Sequence, residues 1–337
     1  MRPTNSSADE PSPDPAGIHI PVMADRVVEL LSPALDHDGA VYVDGTLGMA
    51  GHASLVLAAS PGARLIGIDQ DADALTLAAT RLSRFGERVH LVRARFDELP
   101  EVLADAGVSG IDAMLLDLGL SSLQIDRADR GFAYRVDAPL DMRMDDRNEL
   151  TAARILNEYE PAQLVKVLRN YGEEKQAPRI VRAIVAERAQ EPFDSSARLV
   201  RVIESAIPAA VRARSTGHPA KRTFQALRIE VNGELAALAG VLPEMLEHMV
   251  CDARAAVLAY HSLEDRIVKQ VFATASHDSA PAGLPVVPEG MKARFALLTR
   301  GAERPGSQEL AGNPRAGSAR LRAVRRIRED APSGGMR

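Results

Sequence analysis

The fold is decided by the stretch Val41-Tyr-Val-Asp44-Gly-Thr-Leu-Gly-Met-Ala-Gly-His52, in which a short apolar run leads into three glycines. The run Val41–Asp44 predicts a buried strand. Gly45, Gly48 and Gly51 predict a tight turn into a helix, because glycine lets the backbone turn sharply and approach a ligand closely. Their Gly-x-x-Gly-x-x-Gly spacing differs from the Gly-x-Gly-x-x-Gly of dinucleotide sites. Such a turn can also be a packing device alone.

The strand-and-helix pattern repeats through the first 120 residues. Further apolar runs of strand length lie at 64–69, 89–92 and 111–117, and the segment between the first two, 72–85, has the periodicity of an amphipathic helix. Alternating strands and helices of these lengths are typical of a doubly wound parallel sheet. We therefore predict an α/β protein.

The alternation stops near residue 129. Residues 129–234 show mostly helical spacing, after which 253–260 predicts a fifth strand and 320–327 a last one. The interpretation is a sheet domain formed by 18–128 and 235–337, with a mostly helical domain inserted between them. The Pro- and Gly-rich segment 276–314 is expected to be a long mobile loop.

Three of the predicted strands end in an acidic residue: Asp44, Asp69 and Asp117. In doubly wound sheets the ligand lies in the crevice at the carboxyl ends of the strands. Asp69, which lies 21 residues after Gly48, can accept hydrogen bonds from both ribose hydroxyls of an adenosine. This pattern indicates NAD or S-adenosylmethionine, and both the loop spacing and the nearby anion Asp44 favour the cationic S-adenosylmethionine. Aspartate also favours turns and helix caps, which is a purely structural alternative.

Composition limits the class of protein. The chain has 337 residues, a net charge of −5 and one cysteine, Cys251, which excludes an intrachain disulfide and a cysteine-rich zinc site. No run of about 18 apolar residues predicts a membrane span, and the polar tail 1–17 lacks the apolar segment of a secretory signal. We expect a disordered tail, no bound metal, no membrane partner and a cytoplasmic location. The oligomeric state is not predicted.

Local charge points to RNA although the total charge is negative. Residues 198–228 hold seven Lys or Arg and one acid, and 313–328 hold six Arg and no acid. Lys221 and Arg222 lie close in sequence to Phe224, so cations and a ring that could stack on a base come together. We predict an RNA-binding face built from the insertion and the Arg-rich segment. Alternatively, the two cations pair with acids such as Asp141 and Asp145 and tie the domains together.

Several blocks make the chain resemble the MraW family, the small-subunit ribosomal RNA methyltransferase H family. They occur in order over nearly the whole chain. The blocks are His19-Ile-Pro-Val-Met23 and residues 44–52, 117–126, 130–134, 139–145, 171–174, 218–228, 232–235, 261–269 and 313–315. Two positions depart from the family pattern. Ala50 stands where a further glycine is usual, and Cys251-Asp-Ala-Arg254 stands where Pro-Gly-Gly is typical.

The resemblance implies a class I methyltransferase fold with an inserted helical domain. It implies that S-adenosylmethionine methylates N4 of a cytidine in the decoding region of small-subunit (16S) ribosomal RNA, as naked RNA or in the assembled subunit. The implied cofactor contacts come from the glycine loop, the second strand, the adenine side and the methionine end. They are Ala50, Gly51, His52, Asp69, Phe96, Asp117 and Gln124. The resemblance thus implies the activity of a ribosomal RNA (cytosine-N4-)-methyltransferase.

The lone cysteine bears on the reaction. Methylation at C5 of cytosine usually needs a cysteine nucleophile, and Cys251 is expected to be structural, at the start of a buried strand. Direct attack by the exocyclic amine fits better, with Asp117 as the catalytic hydrogen-bond acceptor and Ser121 or His261 as alternates. Asp117 could instead hold only the cofactor's ammonium. Two other functions stay open, an NAD-dependent dehydrogenase and a non-catalytic ribosome-assembly factor that binds RNA.

Overall fold

The computed structural model describes residues 21–329 except 122–123, 125–129, 215–216 and 282–285. The tail predicted to be disordered, 1–17, lies outside the described residues. The strands are β1 (Val41–Asp44), β2 (Arg64–Asp69), β3 (Val89–Arg93), β4 (Ile111–Asp117), β5 (Met249–Ala259), β6 (Phe295–Leu297) and β7 (Arg320–Arg326). The helices before β5 are α1 (Ala24–Leu31), α2 (Gly51–Ala59), α3 (Ala72–Leu82), α4 (Leu99–Asp105), α5 (Ala152–Glu158), α6 (Pro161–Gly172), α7 (Ala177–Arg188), α8 (Ser196–Ala206), α9 (Ala209–Arg214), α10 (Lys221–Asn232) and α11 (Glu234–His248). The helices after β5 are α12 (Ser262–Ala275) and α13 (Ser307–Gly312).

The strands form one seven-stranded sheet in the order β3-β2-β1-β4-β5-β7-β6. The neighbours from β3 to β5 are parallel, whereas β7 runs antiparallel to both β5 and β6. The doubly wound sheet predicted from the apolar runs is confirmed. Because parallel strands start and end together, the register places the carboxyl ends of β1, β2 and β4 at one edge.

Two apolar layers cover the sheet. On one face, α4, α11 and α12 bury residues such as Leu103, Val241 and Phe272, and on the other face α1, α2 and α3 bury residues such as Leu31 and Leu57. A third hydrophobic cluster consists only of residues between 132 and 231, including Ile155, and so lies within the predicted insertion 129–234. The inserted segment therefore has a core of its own.

Two sequence-based expectations were wrong in part. The segment 276–314, expected to be a long loop, contains β6 and α13. The strand β5 begins at Met249, and Cys251 is exposed on it rather than buried. The strand is irregular there, since Asp252 adopts the left-handed φ of 67° and the pairing with β4 shifts between Ile111 and Ala113. Aspartate tolerates this conformation better than most residues, which explains how the chain turns without the usual glycines.

Among the described helices, none is both long enough and apolar enough to span a membrane.

Candidate active site

A cavity of about 550 Å³ opens at the carboxyl edge of the sheet, between the glycine loop and α10. That volume lies within the range of small-molecule sites. Most of the residues predicted for the site line it: Gly51, His52, Asp69, Phe96, Asp117, Gln124 and Lys221. Ala50 and Arg222 do not line it. The structure therefore brings the predicted cofactor residues together with one of the two predicted RNA-binding cations.

The glycine loop turns from β1 into α2 through two left-handed residues. Gly48 has φ 52° and Ala50 has φ 59°. Ala50 is fully buried, so it forms the turn itself rather than the wall of the cavity. A Cβ atom on Gly51 would lie 2.7 Å from the Pro21 side chain, so close packing requires glycine there. The loop thus tolerates alanine at position 50 at the cost of backbone strain.

Asp69 joins this loop to the second strand. Its Oδ2 accepts a hydrogen bond from the Gly48 backbone N–H at 2.7 Å, and its Oδ1 accepts one from the Asp71 N–H at 2.9 Å. Burial raises the pKa of Asp69 to about 6, although these N–H donors oppose the rise. A carboxylate oxygen can accept more than one hydrogen bond. Asp69 can therefore still accept ribose hydroxyls from the cavity.

Asp117 ends β4 and is held by three neighbours. The Tyr260 hydroxyl donates to its Oδ1 at 2.7 Å, and its backbone N–H donates to Thr46 Oγ1 at 2.6 Å. Nδ1 of His52 lies 3.5 Å from its Oδ2. Burial raises the pKa of Asp117, while His52 and the Tyr260 hydroxyl oppose the rise. Tyr260 also lines the cavity. Its place at the end of the predicted strand 253–260 is the sequence signal that could have identified it.

Asp44 differs from the other two strand-end acids. It is buried, does not line the cavity, and accepts hydrogen bonds from the Tyr42 hydroxyl at 3.3 Å and the Thr46 N–H at 3.2 Å. Burial raises the pKa of Asp44 to about 7, and the nearby His52 opposes the rise. Of the three carboxylates predicted at the crevice, Asp69 and Asp117 reach it and Asp44 lies beneath it.

Gln124 lines the cavity with both ends of its amide in use. Oε1 accepts from the Ser121 backbone N–H at 3.1 Å, and Nε2 donates to Asp71 at 3.3 Å. Arg130 forms an ion pair with the same Asp71 and donates to the carbonyls of Arg143 and Met144. Gln124 therefore sits in a network that joins the sheet to the inserted segment.

The wall opposite the glycine loop comes from α10 and the start of α11. Arg228 forms two hydrogen bonds with the Glu234 carboxylate, at 2.8 and 2.9 Å. Asn232 accepts from the Met144 N–H and donates to the Met142 carbonyl, both at 2.8 Å. The sequence blocks 218–228 and 232–235 contain Arg228, Asn232 and Glu234 but did not indicate their structural role.

Lys221 and Arg222 do not pair with Asp141 or Asp145, so the domain-tying alternative is wrong as stated. Asp141 pairs with Arg143 at 2.8 Å, and Asp145 pairs with Arg147 at 2.7 Å and lies 3.5 Å from Arg93. The Arg222 guanidinium donates to the Glu173 carbonyl at 3.3 Å. The Lys221 ammonium makes no hydrogen bond or ion pair within the described part of the chain, and it lines the cavity.

Among the described side chains of the Arg-rich segment 313–328, every arginine has a partner within the protein. Arg320 and Arg322 both pair with Asp265, at 3.1 and 2.8 Å. The remaining described arginines also have partners inside the protein. They are Arg325 with Asp252, Arg326 with the carbonyls of Glu247 and Met249, and Arg328 with Glu289. This segment is therefore not part of the RNA-binding face that we propose below.

Phe224 is also unsuited to the role predicted for it. Its ring is 4% exposed and packs in the core of the inserted segment, so it cannot stack on a base. The partly exposed rings nearby are Tyr134 and His218, which stack on each other with centroids 4.6 Å apart. An aromatic surface is present beside Lys221, but different residues supply it.

Comparison with known proteins is consistent across the whole chain. The family model described as MraW methylase family matches residues 16–327. A ribosomal RNA small subunit methyltransferase H from Cutibacterium acnes is 58% identical over 311 residues, which cover 92% of each chain. One from Streptomyces avermitilis is 56% identical and covers 93% of this chain and 98% of its own. A solved rRNA methylase from Streptococcus thermophilus is 12% identical over 90% of this chain and 94% of that one, with a TM-score of 0.39, which is too distant to bear on function.

Proposed function

The chain belongs to the MraW methylase family, and on that premise we propose that it methylates N4 of a cytidine in small-subunit ribosomal RNA. Members of this family are class I methyltransferases that use S-adenosylmethionine. The relatives are named for small-subunit ribosomal RNA. Lys221, which has no ion-pair partner among the described residues, lines the cavity and supports a polyanionic substrate for this chain too.

The residues present fit the cofactor. The cavity offers Asp69 at the end of β2 for the ribose hydroxyls and Phe96 as an apolar surface for the adenine. Gly51, His52 and Gln124 line the same cavity, and Ala50 shapes the glycine loop that leads into Gly51 and His52. Bound there, S-adenosylmethionine supplies an electrophilic methyl group on a positively charged sulfur. Asp69 and Asp117, two of the carboxylates that line the cavity, suit that positive charge.

The choice of N4 rests on one observation: Asp117 lines the cavity, whereas the cysteine does not. Cys251, the only cysteine of the sequence, is exposed and does not line the cavity. Covalent activation of the cytosine ring through that thiol is therefore not available in this geometry. Asp117 can accept a hydrogen bond from an exocyclic amine, which draws its lone pair out of the ring and takes up its proton.

The substrate nucleotide must leave its stack to reach this cavity. Lys221, on the wall opposite the glycine loop, is placed to neutralise a phosphate next to that nucleotide. Arg222 lies on the same first turn of α10, outside the cavity, where it can contact the adjacent sugar–phosphate backbone of the RNA. We propose these two residues as the RNA-binding cations, with the Tyr134 and His218 rings beside them.

The test is methylation of small ribosomal subunits, and separately of naked rRNA, from a strain that lacks this enzyme. Digestion to nucleosides and mass spectrometry against standards should show N4-methylcytidine. Asp117→Asn is the matched control, since it keeps the shape of the side chain but not its charge. The appearance of 5-methylcytidine would disprove the proposed position. Absence of methyl transfer with RNA binding retained would indicate a non-catalytic assembly factor.

A further inference from the structure

Tyr260 follows β5 and meets the end of β4 at the cavity. The sheet register pairs Asp117 with Leu258, which places the residue two positions later beside the Asp117 carboxylate. The Tyr260 hydroxyl donates to Asp117 Oδ1 at 2.7 Å, across 143 positions of sequence. This contact lies at the centre of the proposed site, and the reaction as described above leaves its role unassigned.

The fold fixes this tyrosine independently of Asp117. Its backbone N–H donates to the Glu264 carboxylate at 2.7 Å. Its ring packs against Gly119, where an added Cβ would lie 3.3 Å from the ring and where φ is +98°. Because the backbone and the ring are both held, the hydroxyl is presented at a fixed point. Asp117 must adjust to the tyrosine rather than the reverse.

His52 constrains the second oxygen of Asp117. Nε2 of His52 lies 2.9 Å from the Val22 carbonyl, which can only accept, so Nε2 carries a hydrogen. Nδ1 of His52 lies 3.5 Å from Oδ2, which is longer than an ordinary hydrogen bond. Oδ1 is thus occupied by a strong donor, whereas Oδ2 has no donor as close.

We propose that Tyr260 is a positioning residue for Asp117, an inference that rests on the proposed function. It holds Oδ1 so that Oδ2 faces the attacking amine. As the nitrogen lone pair forms the new N–C bond, the electrons of the broken S–C bond stay on sulfur and the amine proton passes to Oδ2.

The charged surroundings predict how the reaction responds to pH. The groups that face Asp117 are Tyr42 and Asp44 from β1, His52 from α2, Tyr260 after β5 and Glu264 from α12. Burial and Glu264 raise the pKa of Asp117, while His52 and the Tyr260 hydroxyl lower it. Removing the hydroxyl should therefore raise this pKa further, and the carboxylate will be protonated over a wider range of pH.

The test is Tyr260→Phe, which keeps the ring against Gly119 and removes only the hydroxyl. The acid limb of the pH–rate profile should move to higher pH by about one pH unit. The rate of single-turnover methylation should therefore fall about tenfold on that limb and recover in alkaline solution. In the protein without cofactor or RNA, the Asp117 carboxyl followed by ¹³C NMR should titrate at correspondingly higher pH. Affinity for S-adenosylhomocysteine should change little above that titration.

Tyr42→Phe is the matched control, because Tyr42 also donates to a buried aspartate, Asp44, but does not line the cavity. It should leave the acid limb in place. An unchanged acid limb and an unchanged Asp117 titration in Tyr260→Phe would overturn the proposal, as would an equal shift in Tyr42→Phe. If the unmodified enzyme methylated no RNA, the proposed function would fail, while the NMR titration would still decide whether Tyr260 controls Asp117.

Discussion

Two cationic regions of the chain resemble each other in sequence and differ in the structure. The strand β7 carries Arg320, Arg322, Arg325 and Arg326, and each of them has a partner within the protein. The first turn of α10 carries Lys221 and Arg222, neither of which pairs with a carboxylate in the described part of the chain. Density of charge in a sequence therefore does not show which charges are available to a ligand.

The difference comes from what packs alongside. The arginines of β7 lie between β5 and β6 and beneath α12, so Asp265 and Asp252 reach them from elements far away in sequence. Half-buried cations of this kind need partners, because an unpaired charge is costly away from water. At the start of α10 the side chains face the open cavity and the solvent, where water can solvate them.

The largest effect is expected for the paired region. Arg320→Ala with Arg322→Ala leaves Asp265, which is mostly buried, without a cation. We expect a loss of about 3–5 kcal/mol in the free energy of unfolding, the range for breaking a buried ion pair. Chemical denaturation measures it. If the variant kept its stability and bound RNA more weakly, the arginines of β7 would bind RNA rather than stabilise the fold.

The same contrast exists among the strand-end acids, of which Asp69 reaches the cavity and Asp44 does not. Asp69→Ala should weaken S-adenosylmethionine binding by about 1.5–3 kcal/mol, because hydrogen bonds to a charged group are lost. Calorimetry on the folded variant measures the change. Unchanged affinity would mean that the ribose lies elsewhere.

For the available cations, Lys221→Ala with Arg222→Ala should weaken RNA binding about tenfold and reduce the slope of log K against log salt by about 1.4. The melting temperature and the cofactor affinity should hardly change. Arg64→Ala with Arg84→Ala is a control with the same loss of charge at the amino edge of the sheet, away from the cavity. A lower melting temperature with an unchanged salt slope would assign Lys221 and Arg222 a structural role.

The smallest effect is expected at Cys251. Because the thiol is exposed and distant from the cavity, Cys251→Ala should change the free energy of unfolding by less than about 0.5 kcal/mol. Methyl transfer should be retained. Loss of turnover in the folded variant, or a covalent adduct between the thiol and RNA, would contradict both the exposure argument and N4 chemistry.

The sequence was sufficient for what depends on local pattern. The apolar run of β4 and the acid at its end, Asp117, belong to one short segment, so their place in the sheet could be predicted. The three-residue strand β6 could not be, because it is defined only by its pairing with β7.

What the sequence could not show are contacts between distant segments. Tyr260 meets Asp117 across 143 positions, and Asp265 finds Arg322 across 57. Phe224 was predicted to stack on a base, yet the packing of α10 in the third hydrophobic cluster buries its ring. Each of these depends on how elements pack, which residue spacing alone does not encode.

The order of strands in the sheet also governs how the protein is made. Strand β4 pairs with β5, yet residues 118–248 lie between them. During synthesis at about 5–20 residues per second, roughly 7–26 s pass between the synthesis of β4 and that of β5, and the edge of β4 stays unpaired with β5 for that time. The inserted segment, whose core is its own, is complete before β5 emerges. On the ribosome, the inserted segment can therefore fold while the sheet still has an open edge.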